Sequence, residues 1–244
     1  MKTVRVMTYN IERAAHSGEL LNPERILAVI EASLPDIVAL QQVPAAGQAD
    51  LLPFLVERLG MDRYGAVGGC AGVFLSWYPL KGVQATPLGD GGYCVRADLD
   101  LGGKRMHLIN TRLDSSPGFR RRQIESLLGP DLLGNPSLVC PTLILGDFAD
   151  YFWGSGNLEL AASLRRAGRL WWPGTYPARL PLFGRDRAYV RGALRVVEAE
   201  INRSFLARKA ARHLPLTLTV QIIDPRRNLR LTGLAGRRME AAPG

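Results

Sequence analysis

Apolar residues along this chain change period several times, and each change marks an element. Over Lys2–Tyr9, Val4, Val6 and Thr8 fall on one side and Arg5, Met7 and Tyr9 on the other, the period of a strand. Asn22-Pro23-Glu24 opens a helix, with asparagine as the cap and proline in the first helical position. Ile26, Val29, Ile30 and Leu34 then recur at helical spacing as a buried stripe, and Pro35 ends the helix. Ile37–Leu40 is short and wholly apolar, as expected of a strand covered on both faces. A second helix is expected over Asp50–Leu59. Strands are expected at Ala71–Trp77, Tyr93–Leu99 and Arg105–Asn110, with Asp100-Leu101-Gly102-Gly103 as a hairpin turn. A helix over Phe119–Leu128 carries Arg120, Arg121 and Arg122 in its first turn. Positive charge there opposes the helix dipole, which predicts a local anionic partner. Thr142–Leu145 reads as a buried strand and Leu158–Ala167 as a helix, with closing strands at Ala188–Val190, Arg195–Ile201 and Leu216–Ile223. By pattern alone this is a mixed α/β chain. Residues 1–223 read as one domain, and residues 224–244, rich in Arg, Gly and Pro without apolar periodicity, as a loose basic tail.

Composition narrows the class. A chain of 244 residues with 47% apolar side chains can bury a substantial single core. No run approaches the ~20 consecutive apolar residues of a membrane helix. The N-terminus passes directly into a charged strand rather than a signal peptide, so a cytoplasmic location is expected. Cys70, Cys94 and Cys140 are scattered without metal-ligand spacing and read as free thiols in apolar surroundings. The net charge of +9 is uneven: residues 1–119 hold 11 basic and 12 acidic side chains, and residues 120–244 hold 20 and 10. That surplus suits phosphate-bearing partners such as nucleic acid, lipid head groups or small phosphodiesters, or is simply a solvated surface. No aromatic side chains interleave the arginines as a single-strand stacking platform requires. Phe152, Trp153, Trp171 and Trp172 are expected either in the core or along a ligand cleft or protein-partner surface.

The candidate chemistry lies in short stretches. Thr8-Tyr9-Asn10-Ile11-Glu12, Leu40-Gln41-Gln42-Val43, Leu145-Gly146-Asp147-Phe148-Ala149-Asp150 and Ala211-Arg212-His213-Leu214-Pro215 follow one another at characteristic spacing. Asn110-Thr111-Arg112-Leu113 and Arg185-Asp186-Arg187-Ala188 lie between them. In order and spacing these resemble the motifs of the endonuclease/exonuclease/phosphatase superfamily, where the usual readings are Tyr-Asn, Gln-Glu-Val, Gly-Asp-Phe-Asn and Ser-Asp-His. The resemblance covers about residues 3–223, and Thr175-Tyr176-Pro177-Ala178-Arg179 and Leu182-Phe183-Gly184-Arg185-Asp186 resemble small bacterial members. It implies a four-layer α/β sandwich: two packed mixed β-sheets flanked by helices.

It also implies metal-dependent hydrolysis of phosphate esters, with Mg²⁺ or Mn²⁺ as cofactor. Such chemistry needs a hard cation on carboxylate oxygens, a base for the attacking water and a group that stabilises the charged transition state. By resemblance Asn10 orients the site, Asp147 is the base, Asp186 orients His213, and His213 stabilises the transition state. Glu12 falls where some members carry an acidic metal neighbour, although it reads equally as a surface glutamate. Four positions depart from the pattern. Gln42 stands for the main metal-binding glutamate and keeps only a neutral carbonyl oxygen. Arg112 stands for a phosphate-binding histidine, Ala149 for an asparagine, and Arg212 for a metal-binding aspartate. With two carboxylates absent and fixed positive charge present, Mg²⁺ binding is expected to be very weak. Arg212 is expected in the metal's place, paired with Asp147 or Glu12. Two functions follow: a pseudoenzyme that holds a phosphate-bearing or protein partner, or a phosphodiesterase or nuclease still working through Asn10, Asp147, Asp186 and His213.

Overall fold

The computed structural model describes residues 2–12, 21–44, 51–65, 72–151, 155–167 and 173–223. Twelve strands in the described residues form two six-stranded sheets. The first sheet contains β1 (Thr3–Asn10), β2 (Ile37–Gln41), β3 (Asp62–Tyr64), β4 (Val73–Ser76), β11 (Leu194–Ile201) and β12 (Leu216–Ile222), in the order β11-β12-β1-β2-β4-β3. The second contains β5 (Leu80–Gly89), β6 (Gly92–Asp100), β7 (Arg105–Arg112), β8 (Thr142–Asp147), β9 (Arg165–Arg166) and β10 (Asp186–Arg191), in the order β5-β6-β7-β8-β10-β9. Each sheet has one parallel pair, β1–β2 and β7–β8, and every other pairing is antiparallel. Helices α1 (Pro23–Ser33) and α3 (Pro117–Leu128) make the crossovers that parallel pairs require. Helix α1 packs beside α2 (Leu51–Leu59) and α5 (Phe205–Ala210), and α3 beside α4 (Ser155–Ser163). The result is the expected four-layer sandwich.

Most of the core lies between the sheets and under α1 and α2, and includes Val6, Leu40, Leu75, Leu108, Leu143 and Leu218. A second apolar cluster, with Ile109, Ile124, Leu127, Ile144, Leu160 and Tyr189, lies under α3 and α4. The wholly apolar run at β2 is buried at every position, as its composition predicts. At α1 the Asn22 side chain accepts the backbone N–H of Arg25 at 3.0 Å, and Pro23 takes the first turn. Ile26, Val29 and Ile30 are buried, but Leu34 is the C-cap, left-handed at φ 45° and 74% exposed, so it does not extend the stripe.

Other expectations need correction. The strand at β5 is missed by pattern reading because only Leu80 and Leu88 are buried and its register slips twice. It turns into β6 through Asp90 and Gly91, both at positive φ, the conformation a tight hairpin demands. The expected helix over Leu158–Ala167 ends at Ser163, and Arg165–Arg166 is a short edge strand. Helix α3 begins at Pro117, which places Arg120–Arg122 after its first residues. Each of those arginines nonetheless meets a carboxylate: Arg120 Asp150 at 3.3 Å, Arg121 Glu125 at 3.1 Å and Arg122 Asp90 at 3.2 Å. Cys94 is buried, which pushes its thiol up to about 12, and Cys140 is half-buried. Cys70, the aromatics at 152, 153, 171 and 172, and the tail from 224 lie outside the described residues. No helix among the described residues is long and apolar enough to cross a membrane.

Candidate functional site

Strand direction alone gathers the candidate residues. Parallel β1 and β2 both end at one edge of the first sheet, with Asn10 opposite Gln41. Antiparallel β12 starts at that edge, Leu216 opposite Thr8, so Arg212 and His213 arrive there just before it. In the second sheet Arg112, at the end of β7, lies opposite Asp147 at the end of β8, and Asp186, at the start of β10, lies opposite Asp147 from the other side. All the candidate residues therefore collect at one end of the sandwich.

The two sheets are tied there by buried amides. Gln41 Nε2 donates to Asn110 Oδ1 at 2.7 Å, and Asn110 Nδ2 donates to the Leu40 carbonyl at 3.0 Å. Gly146, before Asp147, has a packing reason: a Cβ there would lie 1.8 Å from the Thr111 carbonyl oxygen on β7. Gln42 (φ 54°) and Ala149 (φ 51°) are left-handed although neither is glycine, a strain that persists only where surroundings enforce it.

Asp147 is the centre of the site. It is fully buried, and its two oxygens accept four hydrogen bonds. Oδ1 accepts from the Ala149 backbone N–H at 2.8 Å and from Arg185 Nε at 3.2 Å. Oδ2 accepts from Asn10 Nδ2 at 2.9 Å and from Arg185 Nη2 at 3.0 Å. An ionised carboxylate offers about four acceptor positions, so Asp147 is saturated. Burial pushes its pKa up, and His213 and Arg185 outweigh that and hold it below the usual carboxylate value.

Arg185 forms the bidentate pair suited to a carboxylate. Its Nη1 donates to the Tyr151 hydroxyl at 3.0 Å and its Nη2 to Ser115 Oγ at 3.4 Å. The guanidinium carbon lies 5.1 Å from the Tyr151 ring centre and 4.7 Å from that of Tyr176. Burial opposes its charge, but Asp147 raises its pKa further above the ordinary arginine value.

His213 is fully buried, and its Nδ1 lies 2.8 Å from Asp186 Oδ2. Burial works against a charged imidazole, but Asp186 and Asp147 outweigh it and raise the pKa to about 9. Nε2 is 3.6 Å from Glu12 Oε2, too long for a hydrogen bond, and has no hydrogen-bond partner. Glu12 is held below the usual carboxylate value, its burial outweighed by His213 and then Arg212. Arg212 Nη1 lies 3.6 Å from Glu12 Oε1, and its Nη2 donates to the Tyr176 hydroxyl at 2.5 Å. Arg212 therefore takes Glu12, one of its two expected partners, while Asp147 belongs to Arg185. Arg112 leans to the rim, where Nη1 donates to the Gly91 carbonyl at 3.0 Å in the hairpin that pattern reading missed. Its Nε and the Gln42 Oε1 are buried without hydrogen-bond partners.

Asp150, beside Ala149, points elsewhere, paired with Arg120 at 3.3 Å and Arg187 at 3.7 Å. Arg120 also donates to the Ala149 carbonyl at 3.1 Å and so braces the Asp147 loop from behind. Sequence reasoning missed Arg185, Tyr151, Tyr176 and Arg120 as site residues. The one signal for Arg185 is its place beside Asp186, since a residue adjacent to a strand start directly opposite Asp147 is within side-chain reach of it.

Metal-ligand chemistry fits poorly. Ligand atoms of Asp147, Asp186 and His213 lie within 4.8 Å of one another. Yet Asp186 and Asp147 favour the charged imidazole of His213, in which Nε2 carries a hydrogen and offers no lone pair to a metal. Asp147 has no acceptor position left, and Gln42 adds no charge. Three groups that carry or favour positive charge (Arg185, Arg212, His213) meet three carboxylates (Glu12, Asp147, Asp186). As they stand, the carboxylates are already compensated and do not fit a divalent cation.

Solved structures that share the fold include three of known family or name. A humanized D. rerio TDP2 superposes with a TM-score of 0.75 at 12% identity over 90% of this chain and 99% of that one. An endonuclease/exonuclease/phosphatase from Bacteroides vulgatus gives 0.74 at 18% identity over 91% and 100%. The human Nocturnin catalytic domain, solved with a bound sulfate anion, gives 0.72 at 20% identity over 91% and 95%. No curated protein matches the chain. The model of the endonuclease/exonuclease/phosphatase family matches residues 7–219, and the chain belongs to that family.

Proposed function

We propose that this protein is a degenerate member of its family that binds a phosphate-bearing ligand without efficient metal-dependent hydrolysis. Members of the family typically use divalent metals. The observation that carries the reading is the saturation of Asp147, whose bonds to Arg185 occupy one acceptor position on each oxygen. A carboxylate so held has no lone pair free to take a proton from water. Its neighbours suit anion recognition instead. His213 presents a buried Nε2 with no hydrogen-bond partner, and Arg212, about a third exposed, supplies a guanidinium at the rim; both stand 3.6 Å from Glu12, which an incoming anion would have to displace. The sulfate in the Nocturnin structure is an oxyanion of the same shape as phosphate, which accords with this class of ligand.

A second reading is an active Mg²⁺-dependent phosphodiesterase with Asp147 as base and His213 as transition-state stabiliser. It is favoured by the proximity of Asp147, Asp186 and His213 and by the Asp186–His213 hydrogen bond. Hydrolysis of a generic phosphodiester with Mg²⁺ or Mn²⁺ separates the two. The binding reading predicts a silent wild type, and turnover from the repaired variant Gln42→Glu, Ala149→Asn, Arg212→Asp only when Arg185→Met also frees the Asp147 oxygens. Metal-dependent turnover by the wild type, lost in Asp147→Ala, contradicts it.

A further inference from the structure

A divalent ion in a carboxylate cluster does two things: it neutralises acids that would otherwise repel one another, and it fixes their oxygens in place. One side chain already does both here. Arg185 contacts both oxygens of Asp147, at 3.2 and 3.0 Å. Further N–H groups go to the Tyr151 hydroxyl and Ser115 Oγ, so four hydrogen bonds engage a guanidinium that has five donors. Two tyrosine rings cover it, at 5.1 and 4.7 Å. It is buried, with 6% of its side chain exposed. This is a fixed group, held more tightly than Arg212, which is a third exposed and stands 3.6 Å from its only carboxylate partner among the described residues.

We infer that Arg185 is the resident cation of this site, standing where a divalent ion would compensate Asp147, so that the acid cluster is assembled and binds its anion without metal. The inference deepens the anion-binding reading. It assigns the neutralising role to Arg185 and leaves His213 and Arg212 for the ligand. Arg185 acts through Asp147 and is a positioning residue rather than a catalytic one.

The test measures Mn²⁺ binding by the loss of the free-ion electron paramagnetic resonance signal, and thermal unfolding with EDTA or millimolar Mn²⁺, on the full chain. Wild type is expected to bind no Mn²⁺ and to unfold at the same Tm in both conditions. Arg185→Met keeps most of the stem and removes the charge. It is expected to lower Tm by roughly 10 °C in EDTA, to bind Mn²⁺, and to regain at least half of the loss in its presence. Arg185→Lys keeps the charge but not the fork, and is expected to unfold at an intermediate Tm with no response to Mn²⁺. A wild type that binds Mn²⁺ overturns the inference, as does a folded Arg185→Met that ignores it. If Arg185→Met does not fold, a folded Arg185→Lys decides: indifference to Mn²⁺ supports the inference, and binding overturns it. Titrating wild type with inorganic phosphate in EDTA keeps the two claims apart, since absence of binding there sinks the anion-binding reading and leaves the assignment of Arg185 to the Mn²⁺ results.

Discussion

At His213 the energetics of a single ring depend on two carboxylates. A buried imidazole ordinarily stays neutral, but Asp186 at 2.8 Å and the nearby Asp147 favour the charged form and raise the pKa to about 9. The folded state therefore binds the proton more tightly than the unfolded chain, whose histidines titrate near ~6.5. The sign follows: this contribution to stability is full below about 6.5 and is lost as pH rises through about 9. An NMR titration of the His213 ring is expected to show a midpoint near 9, and chemical denaturation a declining stability between those values. A midpoint near the ordinary histidine value contradicts the arrangement. Asp147→Ala carries a different prediction. It leaves Arg185 buried and without its bidentate partner, so unfolding free energy is expected to fall by about 3–5 kcal/mol in urea denaturation. At this scale much was legible from motifs: Asn10, Asp147, Asp186 and His213 lie at one end of the sandwich, and Asn10 and His213 bond directly to Asp147 and Asp186. Arg185 was harder to read: its place beside Asp186 is the one signal, and nothing else in a sequence rich in arginine distinguishes the one that folds back onto a carboxylate. Its partner is 38 residues away and meets it only through the pairing of β8 with β10.

Elements were readable in proportion to how fully they are buried. The apolar run at β2 and the capped start of α1 lie where their residues predict. Edge strand β5 was invisible because an exposed, bulged strand has no alternation to read. That loss mattered for the site, since the turn after β5 holds Arg112 at the rim. The Asn22 cap makes a simple test of local structure: Asn22→Ala is expected to cost about 1 kcal/mol through the lost bond to the Arg25 N–H, read from thermal or urea unfolding. Arg120 joins α3 to the Asp147 loop through Asp150 and the Ala149 and Ser115 carbonyls. Arg120→Ala is expected to cost about 2–3 kcal/mol, less than the loss of a sole partner, because Arg187 still faces Asp150. The same substitution is expected to speed amide exchange at Ala149, since the brace behind its left-handed backbone is gone.

Over the whole molecule, fold and activity rest on different residues. Order and spacing of weak motifs carried the four-layer sandwich, because any chain that keeps those strand ends together builds the same site floor. Whether the floor still does chemistry depends on a few side chains; on the proposed reading Gln42 and Arg212 remove metal-binding charge, and Arg185 and Arg212 supply guanidinium groups. The excess of ten positive charges in residues 120–244 gives this half of the chain a long-range positive field. On the proposed reading, this field and site hold an anion with no metal between them. Isothermal titration of the wild-type protein with inorganic phosphate, in EDTA and again in Mg²⁺, tests it most directly. Phosphate is expected to bind in EDTA, more weakly as salt is added and no more tightly with Mg²⁺. Phosphate that binds only when Mg²⁺ is present would contradict it and return the protein to the metal-dependent members of its family.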